Sequence, residues 1–152
     1  MTPQRQGLPR SIGGADINCD ARDCVDREAL QRVVDGEGYN VAMTLFEKII
    51  ARQIPAKIEY EDDNYIVIHD ISPQAPVHVL VIPKKLIATL NDITPGDTEL
   101  VGGMFIVASK VMCALGHSDY RATFNCGPGA QQTVFHLHLH CLAGRAFTWP
   151  PG

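Results

Sequence analysis

The stretch Val134-Phe135-His136-Leu137-His138-Leu139-His140-Cys141-Leu142 alternates imidazole and apolar side chains. A period of two is the signature of a β-strand, whose successive side chains point to opposite faces. As a strand, it puts His136, His138 and His140 on one face and Phe135, Leu137, Leu139 and Cys141 on the other. The apolar set can pack on a helix while the imidazoles line an open surface. Same-face neighbours then stand about 6.5–7 Å apart, a spacing suited to contacting successive parts of one phosphate-bearing ligand.

Histidine suits such work. Neutral imidazole is a nucleophile near physiological pH, and a neighbouring imidazolium can stabilise phosphate oxygens or protonate a leaving group. Two other readings stand beside this one. Three histidines can merely satisfy hydrogen bonds on a polar sheet face. Two imidazoles at i, i+2 can also share zinc, but a flat row supplies tetrahedral angles poorly, so no metal is expected.

Outward from this stretch, Tyr120–Cys126 reads as a neighbouring strand, separated from it by a glycine-containing loop. Before it, Leu100, Met104, Val107, Val111 and Leu115 mark one face of a long helix that Gly116 stops. Thr94 is its expected N-cap, with Pro95 at the first position and Asp97 three residues after the cap. Gly102 and Gly103 inside that helix should each cost about 1 kcal/mol relative to alanine, which suggests a close backbone approach such as a subunit interface. Val77–Ile82 is a β-branched run ended by Pro83. Residues 57–61 and 65–69 form two further strands about a turn at Asp62-Asp63-Asn64. Ala42, Leu45, Phe46, Ile49 and Ile50 recur at helical spacing. The sum is an α+β domain with a mainly antiparallel sheet of about five strands, a long helix and a shorter one.

The 152 residues fit one domain, with 45% hydrophobic and 20% charged residues and no apolar run of membrane length. A formal charge of −4 argues against nonspecific nucleic-acid binding. The five cysteines, Cys19, Cys24, Cys113, Cys126 and Cys141, are an odd count without a secretory leader, which fits a reducing compartment, with cytoplasm as the default. Cys19 and Cys24 would make half a zinc site, but no second pair lies nearby. Residues 1–40 read as an N-terminal extension. Its first twenty residues are a loosely held arm, and a short helix runs from Asp26 to Gly36. Arg5 and Arg10 faintly suggest organelle import, against which the acids Asp16, Asp20, Asp23 and Asp26 count. Residues 41–152 form the body.

Residues His136 to Leu142 fit the pattern of the histidine-triad (HIT) family, and the surrounding sequence resembles its Hint branch, the purine nucleoside phosphoramidases. Supporting stretches are Phe46-Glu-Lys-Ile-Ile, Ile54-Pro-Ala-Lys-Ile, His69-Asp-Ile-Ser-Pro-Gln-Ala-Pro, Val77-His-Val-Leu-Val-Ile-Pro-Lys-Lys and the ending Trp149-Pro-Pro-Gly. The resemblance covers about residues 43–152. It implies a homodimer with a continuous sheet and a purine nucleotide such as AMP as substrate or product. His138 resembles the nucleophile, His140 the partner that binds phosphate oxygens, and His136 the residue that orients the row. His78 resembles a supporting histidine. Asn125 and Thr133 match phosphate-contacting positions, the latter often serine in the family, and Gln132 lies beside them. Asp70 matches the carboxylate that holds the ribose hydroxyls. Leu45, Phe46, Ile49, Ile68, His69 and Ile71 would wall the base pocket. Trp149 belongs to a tail that reaches toward the other subunit's site and would tune substrate choice.

Two departures from the Hint pattern stand out. Leu86 replaces a histidine after Pro-Lys-Lys, at a position that looks peripheral. Ala130-Gln131 occupies a loop where relatives often carry glycines, so a positive φ there would be strained. A dinucleoside polyphosphate hydrolase of another HIT branch is the alternative within catalysis, against which the Trp149-Pro-Pro-Gly ending speaks. His140, where a transferase branch carries glutamine, favours hydrolysis. A nucleotide-binding adaptor is the alternative outside catalysis.

Overall fold

The computed structural model describes residues 43–150, so the arm, the helix expected at 26–36, Cys19 and Cys24 lie outside the described residues. Helix α1, Leu45–Ile50, begins at Thr44, whose hydroxyl accepts from the Glu47 amide while the Glu47 carboxylate accepts from the Thr44 amide. This reciprocal pair satisfies two of the donors left open at a helix start. Strands β1 (Ile58–Glu61) and β2 (Tyr65–His69) follow, joined by a turn in which Asp62 Oδ1 accepts from the amides of Asn64 and Tyr65. Then come β3 (Val77–Pro83), α2 (Thr98–Ala114), β4 (Tyr120–Thr123) and β5 (Leu139–Ala143). The five strands form one antiparallel sheet in the order β1-β2-β3-β5-β4, and β1 and β4 are its edges. No described helix is long and apolar enough to cross a membrane.

Side-chain alternation sorts the sheet residues between two cores. Val67, Val79, Val81, Leu139, Cys141 and Ala143 face α2, where Met104, Val107, Ala108, Val111 and Met112 meet them. Ile66, Ile68, Leu80 and Ile82 point the other way and are covered by Phe46 and Ile49 of α1. In β5, Leu139 and Cys141 pack with α2, so His140 between them projects on the α1 side.

The start of the long helix carries a refinement. Thr94 and Asp97 form the expected cap, but they enclose a 3₁₀ turn, Pro95–Asp97, and α2 begins one residue later. Asp97 accepts from the Thr94 amide and hydroxyl and from Lys85, which hold its carboxyl at about 2, Lys85 being the largest influence. A depressed carboxyl stabilises the fold above its unfolded pKa and loses that contribution as pH falls through the folded one. Denaturation curves should therefore lose stability between about pH 4 and pH 2, and Asp97→Asn should flatten that slope. A slope unchanged by the substitution would assign acid sensitivity elsewhere.

The two helical glycines separate. A Cβ on Gly103 would overlap the Tyr65 hydroxyl, which donates to the Leu100 carbonyl at 2.8 Å. That close approach is intramolecular, between α2 and β2, rather than at a subunit interface. Gly102 is exposed, with nothing within 4 Å of a built Cβ.

One expectation fails in an instructive way. The stretch 134–142 is not one strand, because regular pairing begins only at Leu139, and residues 134–136 form a bend. The amide of Leu137 instead donates to the Ile87 carbonyl, outside the sheet. Phe135 is consequently half exposed rather than packed with Leu137, Leu139 and Cys141. Tyr120–Cys126 is likewise shorter than expected, ending at Thr123.

Candidate active site

The bend changes the triad from a flat row into a recessed cluster. His136 is fully buried and His138 nearly so, instead of lining an open surface. The His138 and His140 rings stand 4.8 Å apart, centre to centre, closer than extended same-face neighbours. Phe46 meets His138 edge-on at 5.0 Å and His136 at 6.0 Å.

Hydrogen-bond partners assign the tautomers, because a carbonyl can only accept and an amide N–H can only donate. His136 Nε2 donates to the Pro83 carbonyl at 2.7 Å, so its Nδ1 accepts from the Thr44 hydroxyl at 3.3 Å. His138 Nδ1 donates to the His136 carbonyl at 2.7 Å, which leaves the lone pair on Nε2. His78 Nδ1 accepts from the Gln74 amide at 3.2 Å, so its proton sits on Nε2 and is donated to His140 Nδ1 at 2.9 Å. The His140 proton is then on Nε2, a buried atom with no hydrogen-bond partner among the described residues. The cluster thus presents one free imidazole lone pair, on His138, and beside it one unpartnered N–H, on His140.

Burial keeps these rings neutral. It lowers the pKa of His78, His136 and His138, in each case as the leading cause. His140 falls to about 4, through burial first and then the neighbouring His138 and His78. A neutral His138 is what a nucleophile at physiological pH requires.

His138 and His140 open onto a cavity of about 360 Å³. One wall is apolar, with Leu45, Phe46 and Ile49 from α1 and Ile68 from β2. Asp70, His69 and Ile71 continue it, and Thr133 stands on the far loop. Asp70 Oδ1 accepts from the Ser72 amide at 2.7 Å, and its Oδ2 lies 3.6 Å from His78 Nε2. The His69 ring is held by Glu59 at 2.9 Å. Sequence reasoning missed Ile54, Pro55, Ala56, Ser72, Leu80, Gln131 and Val134 as further lining residues. Several of them sit in the quoted stretches, so their neighbourhood was visible but not their direction.

Other expected residues stand elsewhere. His136 and His78 lie behind the cavity wall as supports. Asn125 does not line the cavity, and neither does Trp149, whose side chain is 85% exposed. Gln132 is buried rather than ligand-facing. Its Oε1 accepts from the Gly127 amide at 2.8 Å, and its Nε2 donates to the carbonyls of Ala88 and Val134. It closes the loop 127–132 from inside.

Asp70, His78 and His140 bring one ligand-type atom each within 4.8 Å of one another. A cation there would need the His78 Nε2 lone pair, which moves the proton to Nδ1. That nitrogen faces the Gln74 N–H, also a donor. Metal-bound histidines normally donate from the second nitrogen, so a cation there would have to displace the Gln74 contact as well as the His78–His140 hydrogen bond.

The comparisons with known proteins agree with this geometry. The family profile described as "scavenger mRNA decapping enzyme C-term binding" matches residues 43–147. A HIT-like protein of Synechocystis is 53% identical over 110 residues, covering 72% of this chain and 96% of that one. The chain belongs to the histidine-triad family. A HIT family hydrolase from Legionella pneumophila superposes with TM-score 0.71 at 49% identity, covering 72% of this chain and all of that one. Another, from Clostridium thermocellum, gives 0.69 at 43% identity over 72% of this chain and 96% of that one. These hydrolase neighbours support a hydrolase, and the histidine-triad site described above is where its chemistry would reside.

Proposed function

We propose that this histidine-triad protein hydrolyses purine nucleoside phosphoramidates, or related nucleotidyl linkages of the AMP type, as the Hint branch does. One observation carries the reading. His138 spends Nδ1–H on the His136 carbonyl and keeps its Nε2 lone pair beside the unpartnered Nε2–H of His140. His138 Nε2 bonds to the α-phosphorus as the P–N bond breaks, and the departing nitrogen takes a proton from solvent water to leave as the neutral amine. The ring becomes cationic, and the His136 carbonyl at Nδ1 stabilises that charge. His140 donates to a phosphate oxygen, and Thr133 contributes its hydroxyl. Water then attacks phosphorus and gives up a proton to solvent, the P–Nε2 bond breaks, and AMP leaves the neutral ring behind. The apolar wall from Leu45 to Ile68 takes the base, and Asp70 accepts from the ribose hydroxyls.

The reading includes a homodimer. In support of it, α2 exposes Phe105 (47%) and Ile106 (73%) on the side of Gly102, and Phe124 meets Phe105 edge-on at 5.9 Å. The edge strand β4 lies free for pairing with a second copy among the described residues. Asn125 and Trp149 enter as positions whose contacts a second subunit or a bound nucleotide would complete.

The assay is release of AMP and ammonia from adenosine 5′-phosphoramidate, with and without a chelator. Turnover that the chelator leaves unchanged is expected, since positioning and charge stabilisation suffice here. Preferential cleavage of a dinucleoside polyphosphate would move the chain to another branch. Tight AMP binding without turnover of either compound would favour the adaptor.

A further inference from the structure

The loop between β4 and the triad opens at Gly127, with φ of +78°, and runs through a 3₁₀ turn, Pro128–Ala130. It closes at Gln131, with φ of +67° and ψ of +23°. Ala130, also flagged by the sequence, is free of this strain, since among the described residues only Arg52 and Gln131 are non-glycine with positive φ. Left-handed backbone suits glycine and, less well, asparagine, whereas a long side chain there is uncommon. Glycine would close the loop at lower cost, and the buried amide of Gln132 already fixes its shape. Glutamine adds a side chain, exposed and lining the active-site cavity. Strain of this kind persists where surrounding structure over-determines it, commonly at ligand sites.

We propose that Gln131 is a specificity residue whose side-chain amide contacts the group leaving from phosphorus, favouring amines that carry a carboxamide. The placement comes from the chain itself. The apolar wall belongs to α1 and β2, whereas Gln131 lies on the loop that brings in Thr133 and leads into the histidines. A nucleotide seated with its base on the apolar wall turns its phosphate, and whatever is bonded to it, toward that loop. A carboxamide offers donors and an acceptor at once, so it matches a leaving group having both. This inference rests on the reaction proposed above.

The test compares wild type, Gln131→Ala and Gln131→Gly on two substrates, unsubstituted adenosine 5′-phosphoramidate and its N-linked amino-acid amide. Gln131→Ala keeps the left-handed strain but removes the amide. It should lower kcat/KM for the amino-acid amide about 5- to 10-fold, the value of one hydrogen bond, and leave the simple substrate within about 2-fold. Gln131→Gly should show the same loss of selectivity and also raise the thermal midpoint, because its strain is gone. Equal effects on both substrates, or none on either, would overturn the proposal. The same ratio is read in Kd, for AMP and for a hydrolysis-resistant AMP analogue bearing the amino-acid amide. A protein without turnover would thus sink the reaction while the Kd ratio still decides Gln131, and failure to bind either compound would overturn both.

Discussion

His138→Ala should lower turnover of adenosine 5′-phosphoramidate by more than about 10⁴-fold, as loss of a covalent nucleophile does elsewhere. Neither other ring of the triad can take over. His136 donates from Nε2 to Pro83 and accepts at Nδ1 from Thr44, and His140 accepts at Nδ1 from His78 and has its proton on Nε2. Of the three triad rings, only His138 has a lone pair on a nitrogen that no described group occupies. The substitution removes a nearly buried ring that packs against Phe46, so a void opens at the cavity rather than in either core. A small drop in thermal midpoint is expected, with AMP affinity retained within a few-fold by the apolar wall and Asp70. Activity that survives His138→Ala in a folded protein would assign the nucleophile elsewhere.

Gln132→Ala should be the most damaging single polar truncation near the site, costing about 2–4 kcal/mol, because removing one partner strands buried groups without solvent. The side chain is 3% exposed and bonds the Gly127 amide and the carbonyls of Ala88 and Val134. These contacts tie the loop 127–132 to the segment before α2 and to the bend that leads into the triad. Gln132→Glu separates the contributions, since a carboxylate keeps the acceptor for Gly127 but supplies no donor to the two carbonyls. Urea unfolding should rank wild type above both variants, and AMP affinity should fall with loop order. Variants as stable as wild type would show that the loop is held by something other than this amide.

How much of this the sequence disclosed depends on the kind of contact involved. A β-branched run ended by Pro83 made β3 legible, a turn at Asp62-Asp63-Asn64 set off β2, and helical spacing marked the α2 face, because each of these signals is local. The same logic overreached at Val134–His138. Those residues alternate, yet the chain bends, with Leu137 bonded to Ile87 and His136 to Pro83. Such bonds join residues roughly fifty positions apart and leave no local pattern. The Gly127 to Gln132 loop divides similarly. Strain at position 131 was foreseeable from a residue type standing where glycine is favoured. The inward turn of Gln132 was not, since a polar residue in a loop reads as exposed. Gly103 carried a signal of close approach but no indication of the partner, which only the packing of α2 on Tyr65 supplies.

The covalent step is the centre of this account, and trapping it is the most direct test. The wild-type protein is mixed with adenosine 5′-phosphoramidate radiolabelled in the phosphate, quenched within milliseconds in alkali that spares the acid-labile P–N bond, and digested for peptide mapping. The account predicts label on the peptide that contains His138, in a bond stable to base and lost in acid, and none in His138→Ala. Label on another residue, or rapid turnover with no labelled peptide at any time point, would contradict it.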